Sequence, residues 1–344
     1  MRVGIPREVK DGEHRVALTP SGVRGFPQVV VEPGAGLGVG FTDEAYVEAG
    51  ATLGDAWDCE LVVKVKELQE GEYGKPRPGQ TVFGFQHFGP DPGLLDAALA
   101  SGATFVAFET VGQASGLPIL SPMSAIAGRL AVQVGAWCLQ KQNGGSGVLL
   151  PGVEGIAPGN VVILGAGNVG ANALHVAHGI GADVTVYAKT ERRFPILSGK
   201  YPRAAFRTGP PRIADADLVI GGVLTPGQMS PKLITRAMLR GMRGHSALVD
   251  VGIDQGGIAE TSRPTSHSAP IYVEEGVVHY CVPNMPAACA RTASLALERS
   301  VIPYIRMIVE NRTADDLRTG IQVKGGKVTH EHLARDTGRA YSPP

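Results

Sequence analysis

The sequence lacks the features that mark several classes of protein. It has only four cysteines in 344 residues, spaced far apart and without a CxxC pair, which argues against a disulfide framework or a zinc ribbon. No run of 18 apolar residues occurs, so no membrane-spanning helix is expected. The 32 Lys and Arg residues balance the 32 Asp and Glu residues, so neither nucleic acid nor an anionic membrane is expected as a partner. The N-terminal MRVGIP has no apolar signal-peptide core, and we expect a cytoplasmic protein.

The composition is that of a folded protein with many tight turns. Hydrophobic residues make up 43% of the chain, which is enough for sizeable cores, and the length favours one large or two medium domains. Glycine, with 47 residues, and proline, with 25, exceed average usage. Glycine in such numbers indicates places where the backbone turns sharply or approaches another group closely.

Short apolar runs alternate with helical segments in two stretches of the chain. The predicted strands are 2–5, 28–32, 60–65, 81–85 and 104–109 in the first stretch, and 160–164, 183–187, 217–221, 246–252 and 277–282 in the second. Long helices are predicted over 123–140 and 292–311. The tail after residue 315 shows only one short helix signal, over 330–335. Strands separated by helices favour parallel sheets.

A glycine-rich motif opens the second stretch. Gly165, Gly167 and Gly170, with Asn168 and Val169 between the last two, form G-x-G-x-x-G directly after a predicted strand and before a helix. The first glycine allows the tight turn, the second lets the backbone approach a pyrophosphate, and the third allows close helix–strand packing. The free N–H groups at the helix start then face the phosphates. The motif therefore predicts dinucleotide binding.

These patterns together predict an α/β protein with two Rossmann-like domains with parallel sheets, joined by the two long helices. We expect a discontinuous substrate domain of residues 1–122 plus 291–344, and a dinucleotide-binding domain of residues 123–290. A cleft between the two domains is the default binding site.

The end of the second strand of the nucleotide domain lacks the usual acid. An Asp or Glu at this place accepts hydrogen bonds from the ribose 2′-OH, whereas this chain has Ala188. The cations Lys189, Arg192 and Arg193 follow at once. Loss of a carboxylate and gain of cations suit a 2′-phosphate, so NADP(H) is favoured. Because Glu191 is close enough to serve the ribose, NAD(H) is the alternative.

Four polar residues are candidates for chemistry. Lys66 lies at the C-terminal end of the predicted strand 60–65, where strand alternation would put its side chain on the same face as that of Lys64. His87 follows the strand 81–85, Asp254 follows the strand 246–252, and Arg15 lies after the first strand. Each type alone is commonly structural, since such a His packs in a core, Arg and Lys are solvated, and Asp before Gly-Gly forms turns. Three of the four at carboxyl ends of strands, where parallel sheets bind ligands, favour a site.

The same residues lie in segments that resemble a known family, the alanine dehydrogenases. The wider group includes the NAD-binding subunit of proton-translocating nicotinamide nucleotide transhydrogenase. The segments follow one another in order over nearly the whole chain, and they read MRVGIPREVKDGEHRVALTP, VVKVKE, SPMSAIAGRLAVQVGA, VVILGAGNVG, VDVGIDQGG and VVHYCVPNMPAACARTASLAL.

The resemblance implies roles for individual residues. Arg15 and Lys66 would hold the substrate carboxylate, and His87 would act as general acid and base. Asp254 would orient the water or ammonia that enters at the imine carbon. The residues around the dinucleotide would be Ser124, Gly165, Gly167, Gly170, Leu224, Asp254, Asn284 and Met285. No metal is implied, and a homo-oligomer, hexamer or dimer, is expected.

The chain departs from the family pattern at three places. The family's Asp after the second nucleotide-domain strand is Ala188, and the Leu-His-Leu around the histidine is Gln86, His87 and Phe88. The following connection is shortened to a Pro- and Arg-rich loop over 194–212. We therefore expect an NADP(H)-preferring amino-acid dehydrogenase or reductive aminase acting on a small 2-amino acid, alanine by default.

Two other functions compete with this one. The first is a transhydrogenase-like component that passes hydride between dinucleotides, although such transfer needs no carboxylate clamp. The second is a catalytically silent dinucleotide sensor.

Overall fold

The computed structural model describes residues 1–112, 116–223, 229–312 and 314–344. The chain divides into two compact units. Unit 1 comprises Met1–Met123 and Cys289–Pro344, and unit 2 comprises Ser124–Ala288. Unit 1 is therefore built from both ends of the chain, and unit 2 is inserted between them. No helix in the described ranges is long and apolar enough to cross a membrane.

The strands and helices of the described residues alternate along most of the chain. The strands are β1 (Val3–Ile5), β2 (Val29–Val31), β3 (Thr52–Leu53), β4 (Leu61–Val63), β5 (Thr81–Gly84), β6 (Thr104–Ala107), β7 (Asn160–Leu164), β8 (Asp183–Tyr187), β9 (Ala205–Arg207), β10 (Leu218–Gly221), β11 (Ala247–Asp250), β12 (Ile271–Glu274), β13 (Val277–Tyr280), β14 (Ile321–Lys324) and β15 (Lys327–Val328). The α-helices are α1 (Pro20–Val23), α2 (Asp43–Glu48), α3 (Pro92–Ser101), α4 (Leu120–Cys138), α5 (Asn168–Gly179), α6 (Phe194–Lys200), α7 (Arg236–Arg240), α8 (Ala290–Val309), α9 (Asp315–Arg318) and α10 (Glu331–Thr337).

The sheet of unit 1 has eight strands among the described residues, in the order β15-β14-β6-β5-β4-β1-β2-β3. The strands from β6 to β3 are parallel, as predicted, but β14 and β15 are antiparallel additions at one edge. The tail thus supplies two strands that the sequence pattern did not predict. They form because Val323 and Val328 are buried in a core cluster with Phe105 and Val82.

The sheet of unit 2 has seven strands in the described part of the chain, in the order β12-β13-β11-β10-β7-β8-β9. All neighbours are parallel except β12 and β13. The prediction of a loop over 194–212 is wrong, because this segment holds α6 and β9. Strand β9 has only three residues, two of them half-buried and one exposed, so it shows no alternating pattern. The α/β class itself is confirmed.

The two long helices begin earlier than predicted. Helix α4 starts at Leu120 and runs from unit 1 into unit 2. Helix α8 buries an apolar stripe spaced every four residues, namely Ala293, Leu297, Val301 and Ile305. Pro303 lies within α8. The helix is tied to the first segment of the chain, since the Ser294 hydroxyl accepts a hydrogen bond from the Val16 backbone at 3.0 Å and the Glu298 carboxylate accepts one from Thr19.

Strand β4 ends before Lys64 and Lys66, although the predicted strand 60–65 included Lys64 and placed Lys66 at its C-terminal end. It stops at Val63, so the argument that Lys64 and Lys66 share a strand face is wrong. Lys64 is buried and paired with the carboxylates of Glu72 at 2.8 Å and Glu8 at 3.7 Å. Burial lowers the pKa of Lys64, but the two carboxylates outweigh it, and the net pKa is raised. Lys64 is therefore a buried cation of unit 1 whose charge is paired with two carboxylates.

Candidate active-site residues

A buried carboxylate, Glu67, joins the polar side chains that follow β4 and β5. Its Oε2 accepts a hydrogen bond from Nδ1 of His87 at 2.8 Å, and its Oε1 accepts one from Lys10. Nζ of Lys66 lies 3.9 Å from Oε2. Burial raises the pKa of Glu67, but the hydrogen bond from His87 and the charges of Lys66 and Lys10 outweigh it, so the pKa lies well below its usual range. Glu67 is therefore ionised at neutral pH.

His87 is held from two sides by carboxylates. Its side chain bonds to Glu67, and its backbone N–H donates to Oε1 of Glu109 at 2.9 Å. The backbone of His87 has φ = 47°, in the left-handed region that non-glycine residues seldom occupy. Such strain persists only where surrounding contacts hold it, and it is concentrated at functional sites. The imidazole stacks on Phe85 with a centroid distance of 5.7 Å and remains 42% exposed.

The pairing with Glu67 decides which nitrogen of His87 is available. An ionised carboxylate has no proton to give, so Nδ1 must be the donor in this hydrogen bond. The proton of the neutral ring then sits on Nδ1, and the lone pair sits on Nε2. Because the imidazole is partly exposed, Nε2 can exchange a proton with a bound molecule.

Arg15 is buried and oriented by a neighbouring acid. Nε of Arg15 donates to Oε1 of Glu13 at 2.7 Å, and Nη2 donates to Oε2 of the same carboxylate. Nη1 points to the sulfur of Met123, 3.4 Å away. The carboxylate of Glu13 thus fixes the orientation of the guanidinium through Nε and Nη2. The side chain is only 2% exposed.

Lys66 is the other cation of this part of unit 1. Its ammonium lies 5.8 Å from the centre of the Phe85 ring, beside the same ring that supports His87. The backbone N–H groups of Val65 and Lys66 both donate to the carboxylate of Glu8. Lys66 and His87 thus lie around Glu67, although they follow different strands.

The altered neighbours of His87 face inward. Gln86 and Phe88 are each 1% exposed, and Nε2 of Gln86 donates to the backbone oxygen of Gly84 at 3.3 Å. Gln86, at the position where the family pattern has Leu, is therefore a buried polar side chain.

The three glycines of unit 2 have the geometry that the motif predicts. Gly165 has φ = 107°, and a Cβ on Gly170 would lie 1.8 Å from the oxygen of Gly165. Gly165 is thus required by the turn, and Gly170 by packing. Among the described residues, a Cβ on Gly167 would meet nothing within 4 Å, and Gly167 is the N-cap of α5. Open space at the start of a twelve-residue helix, where the first N–H groups have no acceptor within the helix, fits a pyrophosphate.

The residues after β8 form an exposed cationic segment. Ala188 is half-buried, and its backbone N–H donates to the carbonyl of Arg207 on β9 at 3.1 Å. Lys189, Arg192 and Arg193 are exposed, and none of the three makes an ion pair with the residues that the structure describes. Their charges are therefore available to an anionic group.

Asp254 lies in the 3-10 helix Val251–Gln255 that follows β11. Its side chain is exposed and makes no hydrogen bond or ion pair with other residues in the described ranges. Asn284 has φ = 56° and is followed by the buried Met285. Ser124 is half-buried on α4. Leu224, which was predicted to contact the dinucleotide, lies outside the described residues.

Sequence reasoning missed three acids that position the predicted residues. Glu67 directly follows Lys66, and Glu13 lies two residues before Arg15. This closeness in sequence was a usable signal. Glu109 had no such signal, because it reaches His87 only through the pairing of β5 with β6. In the described residues, no group of three His, Cys, Asp or Glu side chains could hold a metal ion.

Comparisons with known proteins identify what the whole chain resembles. The profile of the alanine dehydrogenase/PNT N-terminal domain matches residues 4–127, and that of the C-terminal domain matches residues 131–331. The alanine dehydrogenase of Halomonas elongata is 45% identical, with 99% of this chain and 98% of that protein covered. The alanine dehydrogenase of Bacillus subtilis is 44% identical, with coverages of 100% and 96%.

Two solved structures have the same fold over nearly the full chain. An L-alanine dehydrogenase superposes with a TM-score of 0.93 at 41% identity, covering 98% of this chain and 99% of that one. A transhydrogenase from Sinorhizobium meliloti has a TM-score of 0.84 at 26% identity, covering 96% and 99%. The resemblance predicted from the sequence is confirmed.

The different surroundings of the glycines generate a test of dinucleotide binding. We expect Gly167→Ala to leave the melting temperature of the free protein unchanged but to weaken NADPH binding about tenfold or more, because its methyl group enters only the open space. Gly179→Ala, at the other end of α5, also meets nothing within 4 Å and is the matched control. Binding is measured by titration calorimetry. Equal affinity of both variants and the wild type would contradict a pyrophosphate site at Gly167.

Proposed function

Since the chain belongs to the alanine dehydrogenase/PNT family, we propose that it interconverts L-alanine with pyruvate and ammonia and prefers NADP(H). As a member matched at full length by alanine dehydrogenases, it is an oxidoreductase acting on CH–NH2 donors. The observation that carries the proposal is the Glu67–His87 hydrogen bond with Lys66 beside it, because oxidation of an amino acid needs a proton acceptor next to a cation.

Unit 1 supplies the groups that handle the amino acid. Arg15 and Lys66 are proposed to bind the substrate carboxylate, with Glu13 fixing the orientation of the Arg15 guanidinium. His87 takes the proton from the substrate ammonium at Nε2, because Nδ1 is committed to Glu67. Glu67 stabilises the positive charge that the ring then carries. In the direction of amination the same nitrogen returns the proton.

Unit 2 supplies the residues that would hold the dinucleotide. The open position at Gly167 and the start of α5 suit its pyrophosphate, because the backbone N–H groups there can approach the phosphate oxygens. When bound, the nicotinamide accepts or donates the hydride, so that alanine loses two electrons and one α-hydrogen on becoming the imine. Asp254 is proposed to orient the water that converts the imine to pyruvate and ammonia, or the ammonia that enters in reverse.

The preference for NADP(H) rests on the segment after β8. Ala188 has no side-chain oxygen to accept a hydrogen bond from a ribose hydroxyl. Lys189, Arg192 and Arg193 add three exposed positive charges within five residues, which suits a 2′-phosphate. NAD(H) is the alternative, with Glu191 serving the ribose.

The proposed reaction is tested by oxidation of NADPH and NADH with ammonia and a panel of 2-oxo acids that includes pyruvate. We expect pyruvate with NADPH to give the highest kcat/KM. A higher kcat/KM with another oxo acid would mean that alanine is not the substrate. A higher kcat/KM with NADH would overturn the preference for NADP(H) but not the reaction. Cofactor binding without turnover of any oxo acid would overturn the reaction and favour a silent sensor.

Substitution of the carboxylate tests the role of the Glu67–His87 pair. We expect Glu67→Gln to lower kcat for alanine oxidation about tenfold or more, since general acid–base groups contribute about 10²- to 10⁴-fold. Glu70→Gln, at an exposed position three residues away, is the control. An unchanged kcat in Glu67→Gln would show that proton transfer does not depend on the Glu67–His87 hydrogen bond.

Restoration of an acid tests the cofactor preference. We expect Ala188→Asp to lower the ratio of kcat/KM for NADPH to that for NADH at least tenfold, because the new carboxylate repels a 2′-phosphate and can bind a 2′-hydroxyl. Ala188→Asn introduces a side chain of the same size as Asp but without the charge, and it should change this ratio less. A ratio that is the same in Ala188→Asp and the wild type would show that the segment after β8 does not read the 2′-position.

A further inference from the structure

The turn that carries Asp254 has a backbone that glycine leaves free to change. The 3-10 helix Val251–Gln255 is followed by Gly256, with φ = 86°, and Gly257, with φ = 73°. Glycines reach such angles easily and leave them as easily, because no Cβ restricts them. The position of Asp254 therefore depends on the groups that bind the N–H and C=O groups of this turn.

Lys232 binds the carbonyl side of the turn. Its Nζ donates to the backbone oxygens of Gly256 at 2.5 Å, Gly257 at 3.0 Å and Ala259 at 3.0 Å. An ammonium has three N–H donors, so this one turn uses all of them. The neighbouring backbone adds to this contact, since the N–H of Ser230 donates to the oxygen of Gln255 at 2.8 Å.

Asp250 binds the N–H side of the same turn. It is the last residue of β11 and is fully buried. Its Oδ1 accepts from the backbone of Gly252 at 3.1 Å, and its Oδ2 accepts from Ile258 at 2.7 Å and from the hydroxyl of Ser262 at 2.5 Å. One carboxylate therefore joins the residues before Asp254 to those after it. We call Lys232 and Asp250 the turn clamp.

The geometry points to Lys232 as a positioning residue for the reaction, and this inference rests on the proposed function. Asp254 itself is exposed, and its carboxylate has no partner among the residues described, so no side-chain contact within those residues fixes it. The turn clamp holds the backbone of Asp254 instead, with Lys232 on the carbonyl side and Asp250 on the N–H side of the turn. Without Lys232, the carbonyls of Gly256, Gly257 and Ala259 each lose a hydrogen bond, and in the described part of the chain only that of Ala259 keeps another, from the N–H of Ser262. The two glycines can then adopt other angles. The carboxylate of Asp254 then spends less time in the orientation that the reaction needs.

Lys232 is a better position for a test than Asp250. Lys232 is exposed, and its acceptors are backbone carbonyls, so Lys232→Met removes the three hydrogen bonds without leaving a buried charge. Asp250→Asn changes a buried carboxylate with three donors, and such changes can prevent folding. Lys200→Met, at an exposed lysine on α6 of the same unit, is the matched control.

The decisive experiment is a double-mutant cycle between Lys232→Met and Asp254→Asn. The readout is kcat with the 2-oxo acid that gives the highest turnover in the panel. We expect Lys232→Met to lower kcat about 10- to 100-fold in the wild-type background, with a KM for the dinucleotide within about twofold. In the Asp254→Asn background the same substitution should change kcat less than about twofold, because Lys232 acts through Asp254. Lys232→Arg should recover part of the loss, and Lys200→Met should cause none.

A second measurement does not depend on activity. Amide hydrogen exchange of the peptide over 251–259 should be about tenfold faster in Lys232→Met than in the wild type or Lys200→Met. Unchanged exchange would overturn the turn clamp. Faster exchange with losses of kcat that multiply in the double variant would overturn positioning through Asp254. A wild type without turnover would overturn the proposed function instead, while the exchange rates would still report on Lys232.

Discussion

The ionised carboxylate of Glu67 is the group around which the polar side chains of unit 1 are arranged. Burial alone would raise its pKa, and the contacts with His87, Lys66 and Lys10 reverse that tendency. Because its pKa in the folded chain lies below the unfolded value, the carboxylate stabilises the fold above about pH 4.5, and this contribution is lost as the pH falls through the folded pKa. The same charge sets the tautomer of His87. Stability and the proposed proton transfer therefore depend on one ionisation.

The two units prepare their binding groups by different physical means. Unit 1 uses charged side chains that other charges hold in place, as Glu13 holds Arg15 and Glu67 holds His87. Unit 2 uses the backbone, through the open N-cap of α5 at Gly167 and the turn that carries Asp254. In unit 2 the charged side chains act on the main chain, as Lys232 and Asp250 do at the turn that carries Asp254.

The sequence predicted those parts of the fold that local patterns encode. The central strands of both sheets have continuous apolar runs, and the glycines of the motif after β7 occupy the angles and contacts that their spacing implies. Strands β9 and β15 were missed because they are short edge strands of three and two residues, defined by the neighbours to which they pair. Lys232 carried no signal, since its three acceptors lie more than twenty residues away. Burial of Lys64 was missed for the same reason, because its pairing with Glu8 brings distant segments together.

The insertion of unit 2 into unit 1 has a consequence for synthesis on the ribosome. Unit 2 is continuous, so it can fold as soon as residues 124–288 have emerged. Unit 1 has β1 near the middle of its sheet and β14 near the edge, and its first segment is bonded to α8. The N-terminal strands are therefore synthesised long before β14, and the edge of the sheet at β6 stays unpaired until then. During this interval, between completion of unit 2 and release of the C-terminal segment, the unpaired edge at β6 can pair with another chain.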